Sequence, residues 1–512
     1  MIDLNSTERS SMQKSNRQIR MGAILSYLAI VINIASGLLY TPWMVKMIGQ
    51  SQYGLYTLAN SLISLFLVDF GLSSATARYV SKYHAENNEE SVNNFLGIVY
   101  KLYLIIDAVI FIVLIVVFLF IETIYKNLTP TELLQFKVVY VIAGLFSVIN
   151  FPFVTLNGIM TAYEEFIHLK LADVIYRVLL VAVMIVVLLN GGDLYALVAV
   201  NACVGLLVIA YKLLIIKVKI PIKVNFRYWN SSLSKELFGF STWTTVSSLA
   251  QRLVVSITPS ILGMVSNSTE IAIFGIVATI EGYIFTFTTA INGLFMPTIS
   301  RAYTNSNSSQ QIDLLLLRVG RFQYAINGLI VAGFLVVGRQ FISLWMGSGY
   351  EVAYYGILLI IIPGLFYNSL QIANTTLVVI NKVKYQAYIN IAMGLLNISL
   401  SVPLAKALGV EGACIAIFVS FMVRDLALHI VCHRILHLNM TRLIVECYLR
   451  MSIPIIATVA FGYIMNCIFL PKGWMDLCLR GVCVVIFFFL ILLVAGLNRK
   501  EQEKVWKYVR SR

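Results

Sequence analysis

The chain has 512 residues, 59% of them hydrophobic and only 12% charged, with a mean hydropathy of +0.85. Such a composition excludes a soluble globular protein, and the formal net charge of +14 has to be read against a membrane before it is read against nucleic acid. Seven cysteines without paired spacing read as small apolar residues rather than as a disulfide framework or a metal site.

In chain order, a polar segment of twenty residues comes first, and fourteen apolar stretches then run from Met21 to Leu497. Charges are confined almost entirely to the gaps. Each stretch is about 20 residues long, which is what a helix needs to cross a hydrocarbon core of about 30 Å. Backbone groups in lipid must bond to one another, so the choice lies between helices and a closed barrel. A barrel would show alternating segments of about 10 residues. The expected fold class is all-α, a polytopic integral membrane protein with about 14 transmembrane helices. The spans are 21–41, 55–77, 97–121, 138–158, 171–190, 194–216, 239–264, 271–297, 315–338, 352–379, 385–405, 411–433, 451–470 and 477–497. The first is too long for a signal-peptide core and lacks a clear cleavage site, so it reads as an uncleaved helix.

Basic residues orient the chain. With the N-terminus cytoplasmic, about 30 lysines and arginines fall on the inner side and only about seven on the outer. Both termini are therefore expected inside. The two densest basic clusters are the loop from Lys212 to Lys235 and the tail from Arg499 to Arg512, which carries Trp506 and Tyr508 as an amphipathic helix would. Both read as contacts with anionic lipid. His429, His433 and His437 recur at four-residue spacing, which could hold a metal but fits a basic helix end better.

The chain repeats itself weakly after about 217 residues. Tyr40-Thr41-Pro42-Trp43 with Tyr53-Gly54-Leu55-Tyr56 finds an echo in Thr258-Pro259-Ser260 with Ile271-Ala272-Ile273-Phe274. The second helix of each half leaves through a small, polar, basic exit, Ser73 to Arg78 and Pro297 to Arg301. The expected division is a cytoplasmic segment (1–20), a first six-helix bundle (21–230), a second (231–440), two additional helices (441–498) and the basic tail (499–512). Like-oriented repeats place a binding site between them.

Polar residues form stripes in matching helices. Span one has Ser26, Asn33, Ser36 and Tyr40; span two has Thr57, Asn60, Ser61 and Ser64. Span seven has Ser241, Thr244, Thr245, Ser248, Arg252 and Ser256; span eight has Glu281, Thr288 and Asn292; span ten adds Asn368, Gln371 and Thr375. One stripe is ordinary interhelical hydrogen bonding. Four in matching positions point to a wet cavity. Arg252 and Glu281 lie fifteen and fourteen residues from the outer turn near Asn267, so both sit roughly 22 Å deep and can meet. They form either a structural salt bridge or a cavity cation with a competing carboxylate. Asp69 and Arg78 lie toward the cytoplasmic end of span two, and Asp107 lies near mid-depth in span three. Asp173 and Arg177, near the inner end of span five, are spaced to pair with each other, and Asp425 beside Arg424 reads as interfacial. The candidate cavity residues are thus Arg252, Glu281, Ser248, Ser256, Asn33, Asn60, Asn292 and Gln371. Candidates for coupling to a proton or sodium ion are Asp107, Glu281 and Asp69. No catalytic residue, metal ligand or cofactor is expected.

Two motifs add a resemblance. Gly54-Leu55-Tyr56 followed by Val68-Asp69-Phe70-Gly71-Leu72-Ser73-Ser74-Ala75 and Arg78-Tyr79, and Phe295-Met296-Pro297-Thr298-Ile299-Ser300-Arg301, resemble the polysaccharide-exporting flippases of the multidrug/oligosaccharidyl-lipid/polysaccharide superfamily, in particular its Wzx-type O-antigen branch. The resemblance implies a MATE-like, V-shaped pair of six-helix bundles plus two C-terminal helices in a bacterial inner membrane. It implies an undecaprenyl-pyrophosphate-linked oligosaccharide as substrate, for O-antigen, capsule or exopolysaccharide assembly alongside other assembly proteins. Arg252 would meet the pyrophosphate, and Tyr40, Tyr283 and Phe287 would stack on sugars. Span one carries neither the acid of many multidrug exporters in this superfamily nor the arginine expected of the lipid II flippase. The alternatives are a small-molecule exporter of the same superfamily and, in a different class, a membrane-embedded polymerase or glycosyltransferase. The longest outer gap, Glu122 to Lys137, is only about sixteen residues, short for the substrate loop of such an enzyme.

Overall fold

A computed structural model describes residues 2–66, 69–292, 299, 308–380, 382–468, 472–497 and 502. Its contacts group the chain into two compact units, Met1–Ala272 and Ile273–Arg512. No strand occurs among the described residues.

The first unit holds α1 (Ile2–Ile48), α2 (Gln50–Phe66), α3 (Leu72–Ala85), α4 (Glu89–Ile124), α5 (Pro130–Asn150), α6 (Thr155–Ala162), α7 (Phe166–Leu189), α8 (Leu194–Lys219), α9 (Ser231–Arg252) and α10 (Thr258–Val265). Next comes α11 (Ser268–Asn292). The second unit continues with α12 (Ser308–Met346), α13 (Val352–Ile361), α14 (Gly364–Ser369), α15 (Gln371–Val379), α16 (Val383–Ile435), α17 (Met440–Leu443), α18 (Arg450–Ile468) and α19 (Gly473–Ile491). The polar first residues are helical and form the opening turns of α1. The basic tail lies outside the described residues except for Gln502.

Local chemistry sets the ends of these helices. Thr129 opens α5 with a capping box, its hydroxyl accepting from the Glu132 amide while the Glu132 carboxylate accepts from the Thr129 amide at 2.9 Å, and Pro130 takes the first turn. Asn88 caps α4, Asp193 caps α8 and Asn230 caps α9, each accepting from amides of the first turn.

Eleven helical segments among the described residues are long and apolar enough to cross a membrane. The difference from fourteen has physical causes. The 53-residue α16 is two spans in one, interrupted at Gly409, whose φ of 60° and ψ of −137° fall where the sequence leaves a gap between spans eleven and twelve. Spans two and seven are broken. Positive φ at Phe70 and Gly71 separates α2 from α3, leaving α2 only 17 residues long. Five residues, 253–257, separate the Ser- and Thr-rich α9 from α10.

Close approach of backbones holds the first unit together. A Cβ on Gly54 of α2 would collide with the Ser268 carbonyl at the start of α11. On the same side, Ser51 and Ser268 donate to one Glu132 carboxylate oxygen at 2.6 and 2.5 Å. Outward, α4 presents Leu104, Ile105, Val109, Ile112, Val116, Leu119 and Phe120, all exposed. A surface of that kind, on a helix long and apolar enough to cross a membrane, suits contact with lipid.

Candidate functional site

Four of the expected spans are discontinuous, and proline or glycine marks each interruption. Pro152 sits in a 3-10 turn between α5 and α6, Gly71 opens α3, Pro259 lies in the first turn of α10, and Pro363 stands between α13 and α14. A proline lacks the N–H that would continue the ladder, and a break exposes carbonyls and amides inside the membrane. Such freed backbone groups are where polar ligands and ions are held in broken transmembrane helices.

In the first unit the α2 and α9 breaks meet. The Arg252 guanidinium, ending α9, donates to the carbonyl of Ser64, in the last turn of α2. The Ser61 hydroxyl donates in return to the Ser256 carbonyl, released by the α9–α10 break. A cation on the last carbonyls of a helix is favourable because those oxygens have no helical partner and carry the negative end of the dipole. Asp69, beside the same break, accepts from the Tyr103 hydroxyl of α4 at 2.5 Å and from the Ser73 amide at 3.3 Å. Tyr103 also bonds the Thr155 side chain of α6. Asp107 lies one turn further along α4, is 8% exposed, and its Oδ1 has no hydrogen-bond partner among the described residues.

The second unit has its own polar core. Arg424 of α16 is clamped between two aromatic rings, its guanidinium carbon 3.8 Å from the Tyr367 ring centre and 4.4 Å from that of Phe421. It pairs with Asp425 at 2.8 Å, and Glu281 of α11 lies within its electrostatic reach. Asp425 is buried, and its second carboxylate oxygen has no partner among the described residues. Below it, His429 bonds the Asp425 carbonyl at 2.6 Å through Nδ1 and the Tyr448 hydroxyl at 2.7 Å through Nε2. A carbonyl only accepts, so Nδ1 carries the hydrogen and Tyr448 donates to Nε2. A buried amide relay runs alongside: Asn368 donates to Asn327 at 3.0 Å, Asn327 to the Gln323 carbonyl at 2.8 Å, and Gln323 to the Thr288 carbonyl at 3.3 Å.

Arg252 and Glu281 fall in different units; in the first, Arg252 donates to the Ser64 carbonyl, and in the second, Glu281 lies within electrostatic reach of Arg424. Elsewhere the contacts revise expectations. Asp173 and Arg177 do not pair. Asp173 turns to Lys170 at 3.4 Å, and Arg177 reaches α1, donating from Nε to the Ser36 hydroxyl at 3.0 Å. Nor is Arg177 near a helix end; α7 runs from Phe166 to Leu189 and places it in the middle. Asp425 is buried, ten residues before the end of α16. The helical ladder of three histidines does not converge, since His429 already has two partners, and no cluster of three metal-ligating side chains occurs among the described residues.

Of the remaining candidates, Asn60 bonds the side chain of Tyr56, and the Asn33 carbonyl accepts from Ser36 at 3.2 Å and from Arg177 at 3.4 Å. Ser248 is exposed. Gln371 opens α15 and takes the Thr375 hydroxyl on its carbonyl at 2.9 Å. Asn292 ends α11, and its side chain lies outside the described residues, as does most of the Phe295 to Arg301 motif. Arg177, Arg424 and Asp425 were not among the expected site residues. The signal that could have found them is the one that marked Arg252 and Glu281, a charged residue inside an apolar run.

The helical arrangement has known counterparts. It superposes on the lipid II flippase MurJ in an inward closed conformation with a TM-score of 0.69, at 14% identity, covering 92% of this chain and 98% of that one. An inward-facing multidrug resistance MATE family transporter of the MOP superfamily matches at 0.66 and 13% identity, over 79% of this chain and 96% of its own. A eukaryotic MATE transporter matches at 0.58 and 15% identity, over 81% and 96%. These neighbours are transporters and a flippase, none of them an enzyme, and the fold is theirs: a MATE-like, all-α polytopic membrane protein. No curated protein sequence matches the chain. Residues 19–303, more than half of the chain, match the family described as polysaccharide biosynthesis proteins, and the chain belongs to that family.

Proposed function

We propose that the protein moves an undecaprenyl-pyrophosphate-linked oligosaccharide across the bacterial cytoplasmic membrane, for assembly of an O-antigen, capsule or exopolysaccharide. The observation that carries this reading is the conjunction of a polysaccharide biosynthesis family with a transporter fold shared along 92% of the chain with a lipid II flippase. Family membership ties the chain to glycan assembly, and the fold supplies vectorial movement in place of bond-making.

The division into segment 1–20, bundles 21–230 and 231–440, helices 441–498 and tail 499–512 belongs to this proposal, as does the placement of both termini inside. Substrate movement follows from alternating access, in which rocking of repeats exposes one site to each side in turn. The ligand shifts that equilibrium only by binding one state better than the other. Polar groups at the α9–α10 break, Arg252 and Ser256, and Asn60 within α2 supply donors for phosphates and sugar hydroxyls. Ion coupling, by proton or sodium, is assigned to the second unit. There Glu281 and Asp425 share one guanidinium, so a single added cation balances the group. Asp107 and Asp69 stand as the first unit's candidates.

Deleting the gene and measuring surface glycan together with inner-leaflet lipid-linked sugar tests the reading. Loss of glycan with accumulation of the lipid-linked precursor is the expected result. Intact glycan with heightened susceptibility to cationic drugs would instead make the protein a small-molecule exporter, the reading that the MATE likeness favours.

A further inference from the structure

Arg177 is a cation in the wrong place for its bonding. It stands eleven residues from the start of α7 and twelve from the end, so about 17 Å of helix separates it from either terminus. A guanidinium that deep in a membrane needs a counter-charge or a wet cavity. Its carboxylate neighbour in sequence, Asp173, is turned toward Lys170. No ion pair to Arg177 occurs among the described residues. Of the five N–H donors of an arginine, two are used, one on the Ser36 hydroxyl at 3.0 Å and one on the Asn33 carbonyl at 3.4 Å. Both bonds go to neutral groups of α1 and hold the guanidinium in place without neutralising it.

The surroundings are those of a binding site rather than of an ordinary helix contact. Tyr40, Tyr56 and Tyr176 all lie within electrostatic reach of Arg177. Two of these phenols are engaged: Tyr56 with the Asn60 side chain, and Tyr176 donating to Asn201 at 2.6 Å. The third is not. Tyr40 is only 9% exposed, and its hydroxyl has no hydrogen-bond partner among the described residues. A buried, unpartnered hydroxyl is unfavourable by itself, and this one lies within electrostatic reach of a cation that has no counter-charge among the described residues. An anionic oxygen would give the phenol its missing acceptor and the guanidinium its counter-charge. All these residues belong to the first unit, on α1, α2, α7 and α8.

We propose that Arg177 and Tyr40, backed by the Tyr56–Asn60 pair, form an oxyanion subsite inside the first unit. The planar guanidinium fork and a phenol suit a phosphoryl or carboxylate oxygen. Under the proposed function, on which the choice of ligand rests, the oxyanion is either a phosphate of the lipid carrier or the carboxylate of an acidic sugar in the repeat unit. The subsite is separate from the Arg252 junction, where the guanidinium already occupies a helix-end carbonyl.

The test uses the purified full chain in lipid nanodiscs, with inorganic pyrophosphate and glucuronate as probes at constant ionic strength, read by calorimetry and by ligand-induced thermal stabilisation. Wild-type protein should bind one probe saturably. Arg177→Gln should weaken that binding about tenfold or more, and Arg177→Lys should restore part of it, since charge returns without the fork. Tyr40→Phe is the safeguard should Arg177→Gln fail to fold. It removes only the unpartnered hydroxyl, so the ligand-free protein should melt no lower than wild type while the probe binds several-fold more weakly. A preference for pyrophosphate assigns the subsite to the carrier, and a preference for glucuronate assigns it to the sugar. The subsite is overturned if wild type saturates with neither probe, or if Tyr40→Phe and whichever Arg177 variant folds bind as wild type does. Loss of the subsite leaves the export reading standing if deletion of the gene still abolishes glycan. Saturable binding beside unaltered glycan would sink the export reading alone.

Discussion

A charge inside a membrane is defined by what it touches, and three arginines of this chain show three solutions. Arg252 sits on a helix-end carbonyl, Arg424 is stacked between rings and paired with Asp425, and Arg177 is held by neutral groups. Their substitution should therefore differ in kind. Removing one member of a buried ion pair strands the other, at about 3–5 kcal/mol, whereas removing both together is often nearly neutral. Arg424→Gln and Asp425→Asn are each predicted to lower thermal stability sharply, and the double variant to recover much of the loss. A double variant no more stable than the sum of the single effects would show that the pair is not the unit described here. Arg252→Ala is predicted to leave the Ser64 carbonyl unsatisfied at a cost of about 1–3 kcal/mol. It should impair glycan delivery without lowering membrane abundance; normal delivery would remove Arg252 from the site.

At the scale of elements, the functional information lies in where helices stop. Hydropathy gives an uninterrupted span from 55 to 77, yet Phe70 and Gly71 adopt positive φ and split it, bringing Asp69 to the break. A side chain at Gly71, where φ is 67°, meets the strain of a left-handed backbone, about 1–2 kcal/mol. Gly71→Ala is thus predicted to lower the melting temperature by a few degrees and to reduce export more than stability alone would explain. Export falling only in proportion to protein abundance would make the break merely structural. Gly54→Ala is predicted to be more severe, because its Cβ would meet the Ser268 backbone, which cannot rotate away as a side chain would. Failure of the variant to accumulate is the expected result on a membrane immunoblot; wild-type levels would show that α2 and α11 can separate there. Both glycines lie in the sequence motif that resembles polysaccharide flippases, so that motif reports on backbone geometry at least as much as on ligand chemistry.

The whole molecule is asymmetric in charge, with about 30 basic residues assigned to one face and about seven to the other. That bias predicts both termini on the cytoplasmic side. Fluorescent-protein fusions at each end should fluoresce, and alkaline phosphatase fusions should be inactive; the opposite result at either end would change the number of crossings. Alternating access adds a second expectation. A cysteine at Ser248, exposed in α9, or at Ser256, beside the α9–α10 break, should be labelled from the aqueous phase in a manner that substrate alters. A site permanently dry from both sides would exclude a transport chamber along this helix.

Much of this was legible in the chain itself. The helical class and the series of apolar spans, with the gap between spans eleven and twelve where Gly409 lies, follow from hydropathy and backbone propensity, which act over a few residues and need no partner. Polar residues such as Arg252, Glu281, Asn60 and Asp107 are conspicuous in the sequence as well, because a polar group in an apolar run stands out wherever the run packs. Their partners were not legible. Asp173 and Arg177 have the spacing of a pair, yet rotation of α7 against α1 gives Arg177 to Ser36 and leaves Asp173 to Lys170. Glu281 finds Arg424 far along the chain, and Arg252 finds a carbonyl that exists as an acceptor only because α2 ends nearby. The membrane therefore dictated from sequence which residues would be helical and which polar groups would be costly. How each cost is met depends on helix rotation and on where ladders break, and those are properties of packing that only the tertiary structure decides.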